Sequence, residues 1–78
     1  MKKLITVDEV AKLFDLSVAS VNYYTNIGLI NVLEKKKNRR LYDKEDVSRR
    51  ISKARAMMNM GYTIRLIQRE LISSQNKF

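Results

Sequence analysis

Leu16-Ser17-Val18-Ala19-Ser20-Val21-Asn22-Tyr23-Tyr24-Thr25-Asn26-Ile27-Gly28 decides how the chain is read. Ser17 has the side chain of a helix N-cap, because its hydroxyl can accept from a backbone N–H that the first turn leaves unpaired. Gly28 can leave the helix at positive φ without a Cβ clash. Between them Val18, Val21 and Thr25 share a face at helical spacing, the face expected to turn inward. Ala19, Ser20, Asn22 and Tyr23 lie on the other. That face is polar but uncharged, small at its start and aromatic at its end. A merely solvated face usually carries Lys and Glu; this one suits close approach to a partner, as a recognition helix does. An ordinary surface helix with no partner is the bland alternative.

Working outward toward the N-terminus, Thr6-Val7-Asp8-Glu9 has the form of a capping box. Val7, Val10, Ala11, Leu13 and Phe14 follow at helical spacing, predicting a first helix from about Val7 to Phe14. Asp15-Leu16-Ser17 then turns the chain. Two short helices joined by so short a turn make a helix-turn-helix, although a generic αα-hairpin has the same outline.

Beyond Gly28 the period changes. Leu29-Ile30-Asn31-Val32-Leu33 is aliphatic with no helical stripe, and Arg40-Leu41-Tyr42 can pair back against it. The expected element is a two-stranded wing with Lys35, Lys36 and Lys37 at its tip and Arg39 and Arg40 on its return strand. Asn38 tolerates a left-handed turn there. A basic loop that contacts nothing is the alternative. Asp43 starts a third helix with an acidic first turn. Its inner stripe is Val47, Ile51, Ala54 and Met57 or Met58, with Arg49, Arg50, Lys53 and Arg55 off the stripe and Glu45 paired to Arg49. Gly61 ends it. Thr63 caps a fourth helix that turns Ile64, Ile67 and Leu71 inward and places Arg65 and Arg69 elsewhere. Ser73 to Phe78 is polar and is expected to fray. The fold class is therefore mainly α with a small β-hairpin: a winged helix-turn-helix of four helices in one domain, residues 1–78.

Composition narrows the chemistry. The chain has 78 residues with no cysteine and no histidine. That removes disulfides, thiolate or imidazole metal sites and any Ser-His-Asp triad, so neither an enzyme nor a cofactor is expected. No apolar run approaches the ~20 residues of a membrane span, and Thr6, Asp8 and Glu9 interrupt the start as no signal peptide would. A soluble cytoplasmic protein is the economical expectation. Sixteen Lys and Arg against eight Asp and Glu leave +8. Residues 1–33 are neutral, whereas residues 34–40 hold five cations and one acid and residues 48–78 hold seven cations and one acid. Such a balance favours polyanions.

These residues resemble a known family. Ile5 to Leu13, Leu16-Ser17-Val18, Tyr23-Tyr24 with Ile27-Gly28-Leu29-Ile30, Arg39-Arg40-Leu41-Tyr42 with Glu45-Asp46-Val47, and Met60-Gly61-Tyr62-Thr63-Ile64 look like the N-terminal winged-helix domain of MerR-type transcription regulators. The likeness covers about residues 4–72. It implies a second helix in the major groove of double-stranded DNA and a wing on the flanking backbone. The contacts it implies are Ala19, Ser20, Asn22 and Tyr23 with Arg40 and Tyr42 of the wing; the wing's charge adds Lys35, Lys36, Lys37 and Arg39, and Ser17 at the helix start completes the candidate set. Base readout would fall to Ser20 and Asn22; Tyr23, the wing cations and Tyr42 would hold phosphates. The chain departs from the family pattern at Asn22, where arginine is usual, and at Ala19, where a basic residue is common. It departs again at Asn38-Arg39, in place of Gly-Tyr, and at Asn31-Val32, in place of Lys-Pro. Basic charge has moved from helix to wing. Family regulators continue into a dimerising helix and an effector region; this sequence stops before either, as a piece of a longer regulator or a small stand-alone domain would. A monomer is expected as the chain stands, with pairing either through such a helix in a longer regulator or through side-by-side assembly on DNA. Two other functions stay open: an excisionase-like protein that bends DNA, and a protein-interaction adaptor using Met57, Met58 and Met60.

Overall fold

The computed structural model describes residues 3–75. In chain order the elements are β1 (Leu4–Thr6), α1 (Val7–Leu13), α2 (Val18–Asn26), β2 (Glu34–Lys36), β3 (Arg39–Asp43), α3 (Lys44–Asn59) and α4 (Ile64–Gln75). The strands form one antiparallel sheet in the order β1-β3-β2, with Ile5 opposite Tyr42 and Lys35 opposite Arg40. The architecture is the expected winged helix, four helices and a wing, with one addition. β1 extends the wing to three strands; at three residues it is too short to show a period of its own.

α1 begins where the capping box places it. The Thr6 N–H donates to Glu9 Oε1 at 2.9 Å and the Glu9 N–H to Thr6 Oγ1 at 3.3 Å. The turn that follows needs Asp15 at φ 54°, a left-handed conformation that Asp adopts more readily than most residues. The Leu16 N–H then closes back on the Ala11 carbonyl at 2.8 Å. Ser17 caps α2, its hydroxyl accepting from the Ser20 N–H at 3.0 Å. The inner face of α2 is not the expected one. Val21 is fully buried and Tyr24 and Thr25 are half-buried, but Val18 is exposed. The stripe is centred on Val21 and Tyr24, which leaves the first turn outside the core.

Gly28 stands at φ +82°, a backbone conformation that L side chains rarely adopt; a Cβ there would make ordinary contact with Ile72 Cδ1 of α4 at 3.4 Å, so the angle and not the space calls for glycine. The expected strand over residues 29–33 does not form. The Leu29 and Ile30 N–H groups both return to the Tyr24 carbonyl, at 2.9 and 3.4 Å, so they serve the end of α2 and cannot join a ladder. Strand pairing starts later, at Glu34, and puts Lys35 and Lys36 on β2. The two-residue turn is Lys37-Asn38, at φ 49° and 64°, the sign a type I′ hairpin requires at both positions.

The core has two halves. Ile5, Val10, Ala11, Val21, Ile30, Tyr42, Val47 and Ile51 pack between the sheet and the first three helices; Leu29, Ala54, Met57, Ile67 and Leu71 pack between α3 and α4. Tyr24 touches both. Asp43 caps α3, its Oδ1 accepting from the Glu45 N–H at 3.1 Å. Two expectations on α3 are overturned. Arg49 bonds Asp46 at 2.7 Å, not Glu45. Arg50 is buried, donating from Nη1 to the Leu29 carbonyl at 3.1 Å with Nε 3.4 Å from Asp46. Met57 is core, while Met58 and Met60 are exposed. Thr63 caps α4 through the Leu66 N–H at 3.3 Å. α4 is helical to Gln75, three residues into the expected tail; residues 76–78 lie outside the described set.

Candidate nucleic-acid interface

α2 is held at its end by side chains from the two helices beneath it. Arg50 takes the Leu29 carbonyl and Gln68 takes the Ile27 carbonyl. Arg55 takes the Phe14 carbonyl and sets its guanidinium 5.8 Å from the Phe14 ring. The helix-turn-helix is thus bolted to α3 and α4 through backbone oxygens that the turns would otherwise leave without donors. Its outer face needs no residue for packing.

On that face Ser17 and Ala19 are exposed, Ser20 and Asn22 are half-buried, and Tyr23 is half-exposed with its ring 5.9 Å from that of Tyr24. The Ser17 hydroxyl donates to Ser20 Oγ at 3.0 Å. Ser20 accepts that bond and so keeps its own proton for an outside acceptor. Ser17 itself is occupied on both counts, as cap and as donor. Beside α2 an open groove is lined by Val18 and Asn22, by Thr6, Val7 and Asp8 at the start of α1, and by Asn38, Arg39 and Arg40 of the wing. Asn22 and Arg40, from two separate elements, line the same groove. Thr6, Val7, Asp8, Val18 and Asn38 were not singled out from sequence as contacts; Thr6 and Asp8 gave a capping signal only, and Val7 and Val18 were assigned to the apolar faces of their helices.

The wing is a ladder of like charges. Lys35 stands opposite Arg40 and Lys36 opposite Arg39; directly opposed like charges destabilise a strand pair. Lys37 adds a fifth cation at the turn. Lys35, Lys36, Lys37 and Arg39 are exposed and Arg40 is half-buried. Because side chains alternate along a strand, Arg40 shares its face of β3 with Tyr42. Tyr42 is the member of the expected contact set that the structure removes from the surface. It is fully buried, and its hydroxyl lies 2.8 Å from Thr25 Oγ1. A phosphate has no access to it. The alternation of β3 explains this: with Arg40 toward α2, Tyr42 points into the core behind it. Among the described residues no helix is long and apolar enough to cross a membrane.

Comparison with known proteins agrees with this geometry. Curated proteins provide no match. Among solved structures, the crystal structure of a MerR-family transcriptional regulator from Bacillus cereus superposes with a TM-score of 0.75 at 23% identity, covering 97% of this chain and 55% of that one. The likeness is one of fold, and the chain spans about half the length of that regulator. The sequence model of the MerR helix-turn-helix regulatory proteins matches residues 5–73, from the strand before α1 into the last turns of α4. The chain belongs to the MerR helix-turn-helix family of regulatory proteins.

Proposed function

We propose that this chain is the double-stranded DNA-binding module of a transcription regulator, without catalytic activity of its own. α2 enters the major groove, where Asn22 can bond adenine N6 and N7 together and Ser20 donates its free proton to a base. Ala19 allows close approach. Tyr23 and the wing cations Lys35, Lys36, Lys37, Arg39 and Arg40 take phosphates, fixing register without reading sequence. The carrying observation is the opposed lysines and arginines of β2 and β3 beside an uncharged helix face. Such a wing is held together against its own repulsion, and a polyanion relieves it. Five cations also predict a strong salt dependence, with log K falling by roughly 0.9 per phosphate contacted for each unit of log salt.

Titration of matched and mismatched duplexes, the matched one selected from random DNA, tests the reading. Asn22→Ala is expected to lower discrimination by about 1–3 kcal/mol. Arg40→Ala is expected to weaken every sequence alike and to flatten the salt slope. If Arg40→Ala changed base preference and Asn22→Ala did not, the division of roles would be reversed. The exposed Met58, Met60, Tyr62 and Leu66 favour a second reading, an adaptor surface at the α3–α4 corner. Retention of full DNA affinity by Met60→Ser would keep that corner separate from the DNA face.

A further inference from the structure

Among the described residues, the buried phenol of Tyr42 is where the wing strand and α2 are joined by side-chain hydrogen bonds. α2 packs on α1, and α1 in turn packs on the sheet; Tyr42 bypasses that layer. The direction of the bonds can be deduced. Thr25 Oγ1 donates to the Val21 carbonyl at 2.8 Å. A hydroxyl has one proton, so Thr25 has none left for Tyr42. The 2.8 Å contact between the two oxygens is therefore Tyr42 donating to Thr25. The result is a chain from the Tyr42 O–H to Thr25 Oγ1, and from the Thr25 O–H to the Val21 carbonyl. That carbonyl belongs to the peptide unit whose nitrogen is that of Asn22. At the other end, Tyr42 is two residues from Arg40 on the same face of β3. Tyr42 and Val21 are both fully buried and lie in the same half of the core.

We propose that Tyr42 and Thr25 are positioning residues that fix the azimuth of α2 against the wing, so that Asn22 and Arg40 meet one duplex in a single register. The proposal rests on the DNA-binding reading for its consequence, but not for its geometry. Arg50 and Gln68 hold the chain where α2 ends, but along the helix an apolar stripe by itself tolerates small rolls. A directional bond from the strand to the Thr25 hydroxyl, itself tied to the Val21 carbonyl within α2, removes that freedom. Base readout depends on this more than phosphate contact does, since a bidentate pair tolerates little angular error whereas a phosphate accepts donors from many directions.

The variants are Tyr42→Phe and Thr25→Val, both close in volume to the parent residue. Tyr42→Phe leaves the Thr25 donor satisfied on Val21, so the core is expected to remain folded; thermal melting checks this. Two measurements follow. Residual dipolar couplings of the free protein report the orientation and order of α2 relative to β3. Titration of matched and mismatched duplexes then reports discrimination. In Tyr42→Phe the α2 couplings are expected to shift or shrink while those of β3 hold, and discrimination is expected to fall about tenfold, within the range one base contact supplies. Affinity for mismatched DNA and the salt slope should not change. Thr25→Val should lower discrimination alike but cost more stability, since it leaves the buried Tyr42 O–H without its acceptor; the double variant should discriminate no worse than either single one, because both cut the same chain. Unchanged α2 couplings in the folded variant would overturn the proposal, whatever the titrations show. Changed couplings with intact discrimination would overturn its consequence for readout. A parent protein that binds no duplex would instead overturn the DNA-binding reading, and the couplings would still decide whether the hydroxyl positions α2.

Discussion

Lys37 stands at φ 49° on the exposed tip of the wing. The left-handed region costs an ordinary L-residue roughly 1 kcal/mol, and Asn adopts it far more readily than Lys. Asn38 follows that rule one position on; Lys37 breaks it. The type I′ turn imposes this angle on the position; on the proposed DNA-binding reading, the ammonium is what favours lysine there despite the strain. Lys37→Asn is therefore expected to stabilise the domain by about 0.5–1 kcal/mol in urea unfolding while weakening DNA binding and lowering the salt slope by about 0.9. A variant that gained stability and lost no affinity would show that the lysine does nothing for binding.

α3 shows how one acid can serve two arginines with unequal consequences. Arg49 is 71% exposed and bonds Asp46 at 2.7 Å. Solvent screens such a pair, so Arg49→Ala is expected to change stability by less than about 0.5 kcal/mol. Arg50 is 10% exposed and carries the Leu29 carbonyl into the core. Arg50→Ala should cost about 1–3 kcal/mol, chiefly by leaving the buried Leu29 carbonyl without its donor; the half-buried Asp46 keeps Arg49. Chemical denaturation of both variants checks the contrast. The same helix marks the limit of what the chain's pattern could reveal. Caps were legible because they are local: Thr6 with Glu9, Ser17, Asp43 and Thr63 each act on a residue two or three places away. So were the α3 and α4 core stripes, which follow the helical period. Arg50 was misread because its partner, the Leu29 carbonyl, is 21 residues distant and its position on the wheel is adjacent to the apolar stripe. Leu29 and Ile30 have the composition of a strand, but their N–H groups are claimed by the end of α2. At the site, the outward faces of α2 and the wing tip were readable from charge. The burial of Tyr42 was not, because it depends on which face of β3 turns toward α2, and that is set by pairing with a β1 too short to detect.

At the scale of the whole molecule the question is how much DNA one copy can read. α2 has nine residues, so it is roughly 13 Å long at 1.5 Å per residue, or about four base pairs at 3.4 Å each. Four base pairs recur too often to single out a site, so useful specificity needs more than one copy. The described residues measure 36 × 31 × 22 Å along their principal axes. Recognition helices of paired helix-turn-helix modules lie about 34–36 Å apart, one helical turn of DNA. Two copies at that spacing on one face of the duplex would meet at their edges without overlapping. In free solution the same edges are opposed by a net charge of +8 on each copy, which phosphates neutralise only on DNA. The expected behaviour is a monomer without DNA and neighbour-assisted binding with it. Sedimentation of the free protein tests the first part. Titration onto duplexes with one site, two sites 10–11 base pairs apart and two sites about 15 apart tests the second. Affinity per site should rise about tenfold, or 1.4 kcal/mol, at the in-phase spacing only, since half a turn more puts the copies on opposite faces. A stable dimer without DNA would overturn the first part. Equal affinity at every spacing would overturn the second, and would mean that each copy binds as an independent reader of its own four base pairs.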